Sequence, residues 1–232
     1  MKVLTSIITG ALLSASGAQA AEYTIDIQNL TRGSVFAPLV VAAHSGSDSL
    51  FMVGESASTA VQAMAEGGDI SGLVTSLESV GATISNNPAE GLLMAGDSVE
   101  VVLNTDSTAN TYLSLAGMIV PSNDGFVGLN SLMLPTETGV YHYTLNAYDA
   151  GTEANDELRG SGAPGEPGLP VPPPLEEMVG HNATGVEANA EGFVHIHRGV
   201  LGDTNAEGGS SDLDAGVHRW LNPVAHLTIT VQ

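Results

Sequence analysis

The chain predicts an all-β fold, an antiparallel β-sandwich, and three observations carry that prediction. Polar and apolar residues alternate with period two in several short segments. Those segments are separated by Gly, Asn, Asp and Pro, and only two stretches change to a helical period.

The first strand is read from Tyr23, Ile25 and Ile27, which alternate with Thr24, Asp26 and Gln28 before Asn29 ends the run. Pro38 to Ala43 reads as a second strand. Two segments follow, Ser58 to Glu66 and Ile70 to Val80, in which Val61, Met64 and Ala65, then Leu73, Val74 and Leu77, fall three or four apart. These predict short helices that cover one end of the sandwich.

Strands resume at Ser98 to Leu103, Thr111 to Val120 and Val140 to Tyr148. In the last of these Tyr141, Tyr143 and Leu145 form the apolar face and His142 lies opposite. Gly160 to Pro174 contains SGAPGEPGLPVPPP and cannot hold a ladder, because proline lacks the amide donor, so it reads as a long surface loop. Gly192 to His197 is a further strand, the acidic Gly202 to Gly216 a second loop, and Val224 to Val231 the last strand, with His226 on its polar face.

Residues 1–20 read as a secretory signal peptide: Lys2, an apolar run from Val3 to Leu13 too short to span a bilayer, and an Ala18-Gln19-Ala20 cleavage pattern. Residues 21–232 are then a single exported domain, periplasmic or extracellular, and no later stretch has the roughly 20 apolar residues of a transmembrane segment. The formal net charge is −21, and Lys2 is the only lysine. A field of that sign repels nucleic acid, which binds through clustered Lys and Arg, so no nucleic-acid partner is expected. With no cysteine there is no disulfide framework and no thiolate chemistry, so any metal must be held by oxygen or imidazole.

Two groups of residues can meet that requirement. One is oxygen-rich: Asn123-Asp124-Gly125 and the run from Asp149 to Glu157, each after a strand, where loops bend around a hard cation such as calcium or simply form Asx turns. The other is His195-Ile196-His197, whose two-residue spacing puts both imidazoles on one face of a strand, as copper or zinc would need. His44, at the end of a strand, is the third ligand expected there. The competing reading of the His-x-His pair is a structural polar cluster. No nucleophile elbow, HExxH helix, phosphate loop or dinucleotide turn occurs, so no enzyme is expected. A secreted hydrolase stands only as a second alternative without a motif behind it.

Six segments together resemble the spondin N-terminal domain family in its bacterial secreted branch: YTIDIQNL (23–30), FAPLVVAAHS (36–45), NDGFVG (123–128), AYDAGTEANDE (147–157), GFVHIHRGV (192–200) and WLNPVA (220–225). The resemblance implies a β-sandwich of the C2 type. It also implies calcium held by loop carboxylates, carried over onto Asp124, Asp149 and Glu153, and interactions with an extracellular matrix or cell-surface protein or glycan in adhesion. Where animal members have a tryptophan directly after the first of these aspartates, this chain has Gly125. His44, His195 and His197, with copper or zinc, form the alternative site.

Overall fold

The computed structural model describes residues 22–105 and 108–232; the expected signal peptide at 1–20 lies outside them. Ten strands occur in order: β1 (Glu22–Asn29), β2 (Val35–Phe36), β3 (Val40–His44), β4 (Thr83–Asn86), β5 (Ser98–Asn104), β6 (Tyr112–Val120), β7 (Gly125–Met133), β8 (Gly139–Asp149), β9 (His195–Ile196) and β10 (Ala225–Val231). Two helices, α1 (Thr59–Gly67) and α2 (Ser71–Ser79), lie between β3 and β4. All strand pairings are antiparallel, in the order β4-β3-β6-β7-β8-β10-β1-β5, with β2 added to β6 and β9 to β8. The two outer strands, β4 and β5, approach one another, so the sheet curls until it nearly closes.

Curling places one face of the long strands inside. Tyr23, Ile25 and Ile27 of β1, Leu227, Ile229 and Val231 of β10, and Leu113 and Leu115 of β6 meet in the main core. A second core lies on the outer face of β3, β6 and β7, where Val40, Ala42, Ala116 and Phe126 pack under Val61, Met64, Leu73 and Leu77 of the helices. Strands covered on both faces lose their alternation, which is why β6 is buried almost throughout.

α1 begins at Ser58, whose hydroxyl accepts the Val61 amide at 3.2 Å, and ends at Gly68, left-handed with φ 71°. Both are ordinary helix caps. The Pro/Gly stretch forms no ladder of its own, as expected. It is nonetheless anchored rather than free, with Leu169 in the main core and the Gly165 amide donating to the buried Glu66 carboxylate at 2.5 Å. Among the described residues no helix is long and apolar enough to cross a membrane.

Candidate functional site

Sheet register builds the site. Asp149, the last residue of β8, stands directly between Gly125 on β7 and His195 on β9. The His197 amide continues that pairing by donating to the Ala147 carbonyl at 3.0 Å. His195 and His197 therefore project from the same face, as their two-residue spacing predicts, and both Nε2 atoms face Asp149, at 3.5 Å from Oδ1 and 3.9 Å from Oδ2 respectively. The turn after Asp149 is locked by Gly151, which has φ 68°; a side chain there would collide with the backbone of Phe193. The Gly192 amide donates to the Gly151 carbonyl at 2.8 Å, so this turn also fixes the segment that carries Glu191 and His195.

Asp124 sits in the β6–β7 turn and reaches into the same corner. Its Oδ2 accepts the amides of Thr152 (2.8 Å) and Glu153 (3.1 Å), while its Oδ1 is buried with no partner. Burial, and then the neighbouring Asp149 carboxylate, push the Asp124 pKa up to about 8. Asp149 is raised as well, chiefly by burial, against the hydrogen bonds that Asn155 Nδ2 (2.7 Å to Oδ2) and the Gly151 amide (2.8 Å to Oδ1) donate to it. Two buried carboxylates thus share one corner, and Asp124 Oδ1 is the oxygen left there without a donor. Arg198, the arginine whose charge reaches Asp149, makes its own ion pair with Glu187 at 2.8 Å.

The hydrogen bonds of the two histidines fix their tautomers. His195 Nδ1 lies 3.1 Å from the Ile196 carbonyl, which can only accept, so Nδ1 carries a proton and, in the neutral ring, Nε2 presents a lone pair. That lone pair faces Asp149 Oδ1 and, at 3.6 Å, Glu191 Oε1. His197 is the reverse. Its Nδ1 accepts the Gly199 amide at 2.9 Å, so the Nε2–H points toward Asp149. Burial holds the His197 pKa down at about 4 and keeps the ring neutral. The ring leans on Trp220 at 5.2 Å and fills the space beside Gly125, where a Cβ would stand 3.0 Å from its Cδ2.

Two expected ligands go elsewhere. His44 pairs with Tyr112 at the far end of β6, eight residues from Val120 and so roughly 26 Å along the strand from the Asp124 turn. Both of its ring nitrogens are taken, by the Ser45 carbonyl and by Ser114 Oγ, each at 2.7 Å. This Ser–His pair is fully buried and bridges the irregularity between Leu113 and Leu115, so it is a structural clamp. The Glu153 carboxylate turns from Asp124 to the Asn123 amide (2.8 Å) and the Gly168 backbone, tying down the Pro/Gly loop.

The residue that sequence reading missed is Glu191. It joins Asp149 and His195 in the one group among the described residues whose ligand atoms all lie within 4.8 Å of each other. A small cavity of about 110 Å³, lined by Asp149, Asn155, His197 and Arg198 among others, opens beside it.

The turn holding Asp124, the strand ending in Asp149 and the DAGTE segment also lie within the span that matches a known family. A family model, Spondin_N, matches residues 23–171. The chain belongs to the spondin N-terminal domain family. This is a family of secreted, extracellular proteins. A search of curated proteins found no match. The part of this spondin domain that the family model matches includes Asp124, Asp149 and Glu153 and stops before Glu191, His195 and His197.

Proposed function

We propose that this spondin domain is an exported, non-enzymatic calcium-binding module that acts in adhesion, matrix or envelope contacts. The observation that carries this reading is the buried pair Asp124 and Asp149, in which the Asp124 Oδ1 has no donor and the Asp149 carboxylate adds to the cost of ionising Asp124. A hard dication relieves both problems at once, since it accepts several carboxylate and carbonyl oxygens from bent loops. Asp124 and Asp149 are its ligands in this reading. Glu153 adds negative charge beside them while its carboxylate serves the Pro/Gly loop. Backbone oxygens and water complete the shell.

Calcium at 100 times its dissociation constant would stabilise the fold by about 2.7 kcal/mol, a rise in melting temperature of roughly 5–10 °C for a chain of this size. The test is a calcium titration of the chelator-treated protein. Asp124→Asn and Asp149→Asn are expected to abolish the rise. A wild-type melting temperature that ignores calcium overturns the reading.

A further inference from the structure

A second metal chemistry is built next to the calcium corner. We propose that Asp149 Oδ1, Glu191 Oε1 and His195 Nε2 form a three-ligand site for a zinc-type transition-metal dication, with His197 facing Asp149 from behind.

The spacing is the first argument. His195 Nε2 is 3.5 Å from Asp149 Oδ1 and 3.6 Å from Glu191 Oε1. Those gaps are too long for a shared proton, which needs 2.7–3.2 Å between heavy atoms. They match the edge of a tetrahedron around a metal with bonds of 2.0–2.1 Å, which is about 3.4 Å.

The tautomer is the second. With Nδ1–H committed to the Ile196 carbonyl, Nε2 turns a lone pair toward two carboxylate oxygens, and among the described groups it finds no donor. With the ring neutral, as a metal requires, three acceptors converge on one point and repel one another until a cation sits among them. A metal-bound imidazole has this arrangement, with the other ring nitrogen donating to a backbone carbonyl. The donor set of one imidazole and two carboxylates suits zinc and its neighbours better than calcium, which takes oxygen alone. Three protein ligands leave a fourth position open to water.

His197 supplies an independent pointer to an ion. It is only 4% exposed, its Nε2 has no hydrogen-bond partner, and it is aimed at the second oxygen of Asp149 from 3.9 Å. Because Gly199 occupies Nδ1, the neutral ring turns its Nε2–H toward this carboxylate, beyond hydrogen-bond distance, and favours its charged form electrostatically rather than acting as a ligand. Gly125 makes room for this ring, since a Cβ there would stand 3.0 Å from its Cδ2.

This site shares Asp149 with the calcium reading but does not use Asp124, so the two can fail separately. The experiment titrates Zn²⁺ into the chelator-treated full-length mature protein by calorimetry, with Co²⁺ absorption reporting coordination. One equivalent of zinc and a four-coordinate cobalt spectrum are expected. Glu191→Gln and His195→Gln should each weaken zinc at least tenfold and, both side chains being partly exposed, leave the melting temperature without metal nearly unchanged. Asp124→Asn should keep zinc binding and lose the calcium response, whereas Glu191→Gln should do the reverse. Wild-type zinc affinity in the Glu191→Gln/His195→Gln double variant, or no stoichiometric zinc binding by the wild type, overturns the proposal. So does transfer of binding to the exposed His142–His226 stack, seen as loss of zinc in a His142→Ala/His226→Ala variant alone.

Discussion

The loops from Glu157 to Asp214 and the corner around Asp149 are made from the same acidic residues, yet their carboxylates live in opposite circumstances. Glu157 is buried and accepts the Leu201 amide (2.5 Å), the Gly202 amide (2.9 Å) and the Ser211 hydroxyl (2.5 Å). Asp203 accepts three backbone amides, from Asn205, Ser210 and Ser211, and these hold its pKa below the usual carboxylate range. Asp212 accepts the amides of Arg159 and Ala183. In these loops a carboxylate acts as an anchor that collects backbone donors where no strand is available. At Asp124 all three donors crowd onto Oδ2 and Oδ1 is left buried without one, and burial moves the pKa values of Asp124 and Asp149 up. What separates Asp124 from these anchors is a buried oxygen that no donor reaches, beside a second buried carboxylate, rather than local charge density.

The largest effect that tests this contrast is at an anchor. Glu157→Ala leaves three donors in the interior without an acceptor, at about 1–3 kcal/mol each. A loss of 3 kcal/mol or more is expected in urea unfolding, with or without metal. A loss below 1 kcal/mol would mean that the anchors are dispensable and the contrast is false.

The next effect is the pH dependence of the metal-free protein, where the two kinds of buried group pull in opposite directions. Asp124 has a raised folded pKa, so native protein holds more protons than unfolded protein between about pH 4 and 8, and its stability contribution falls as pH rises through that window. His197 has a lowered folded pKa, so its contribution is complete above about 6.5 and is lost as pH drops toward 4. Each slope is at most about 1.4 kcal/mol per pH unit. The two oppose one another below pH 6.5, and above it only the carboxylate slope remains. Melts in chelator should therefore show stability falling from pH 6.5 to 8 in the wild type. Asp124→Asn should flatten that fall and gain on the order of 1 kcal/mol at pH 8, and an unchanged profile would show that Asp124 is already neutralised by other means.

The smallest effect expected is at His142. It is exposed, stacked on His226 at 5.3 Å and bonded to Thr228 Oγ1 at 3.2 Å. His142→Ala should move stability by less than about 0.5 kcal/mol, and a larger loss would show that exposed donors also anchor the sheet.

Much of the scaffold was legible because one-sided burial writes itself into alternation. β1, β10 and the helices fall within a few residues of where periodicity puts them. β7 was not legible. Gly125, Gly128, Asn130 and Ser131 interrupt its pattern, and its first four residues are covered on both faces, so no alternation survives. β9 is only two residues long because its partner Asp149 ends β8.

At the site, the shared face of His195 and His197 and the position of Asp149 could be read from spacing. Glu191 could not, since it lies in a loop whose path is set by the Gly151–Gly192 hydrogen bond. His44 was misdirected for a related reason: its partners come from Ser45 and from an irregularity in β6 that no local pattern announces. Glu153 is likewise claimed by Gly168, a residue of the Pro/Gly loop, fifteen positions away.

The guanidinium of Arg159 ties that loop from its other end, donating to the carbonyls of Glu176 (2.9 Å), Val179 (2.6 Å) and Gly180 (2.6 Å) and to the Glu176 carboxylate at 2.8 Å. The Gly160 amide is meanwhile bonded to Leu169 at 2.9 Å. A protease that selects basic residues must draw such a side chain into its own pocket and straighten the backbone around it. Residues 22–232 hold no lysine and four arginines, so the bond between Arg159 and Gly160 is one of the few such targets, at the mouth of the stretch whose composition most invites cutting. The folded chain withholds both the side chain and the backbone there, so its longest proline-rich excursion is shielded from such cutting by being bound at both ends.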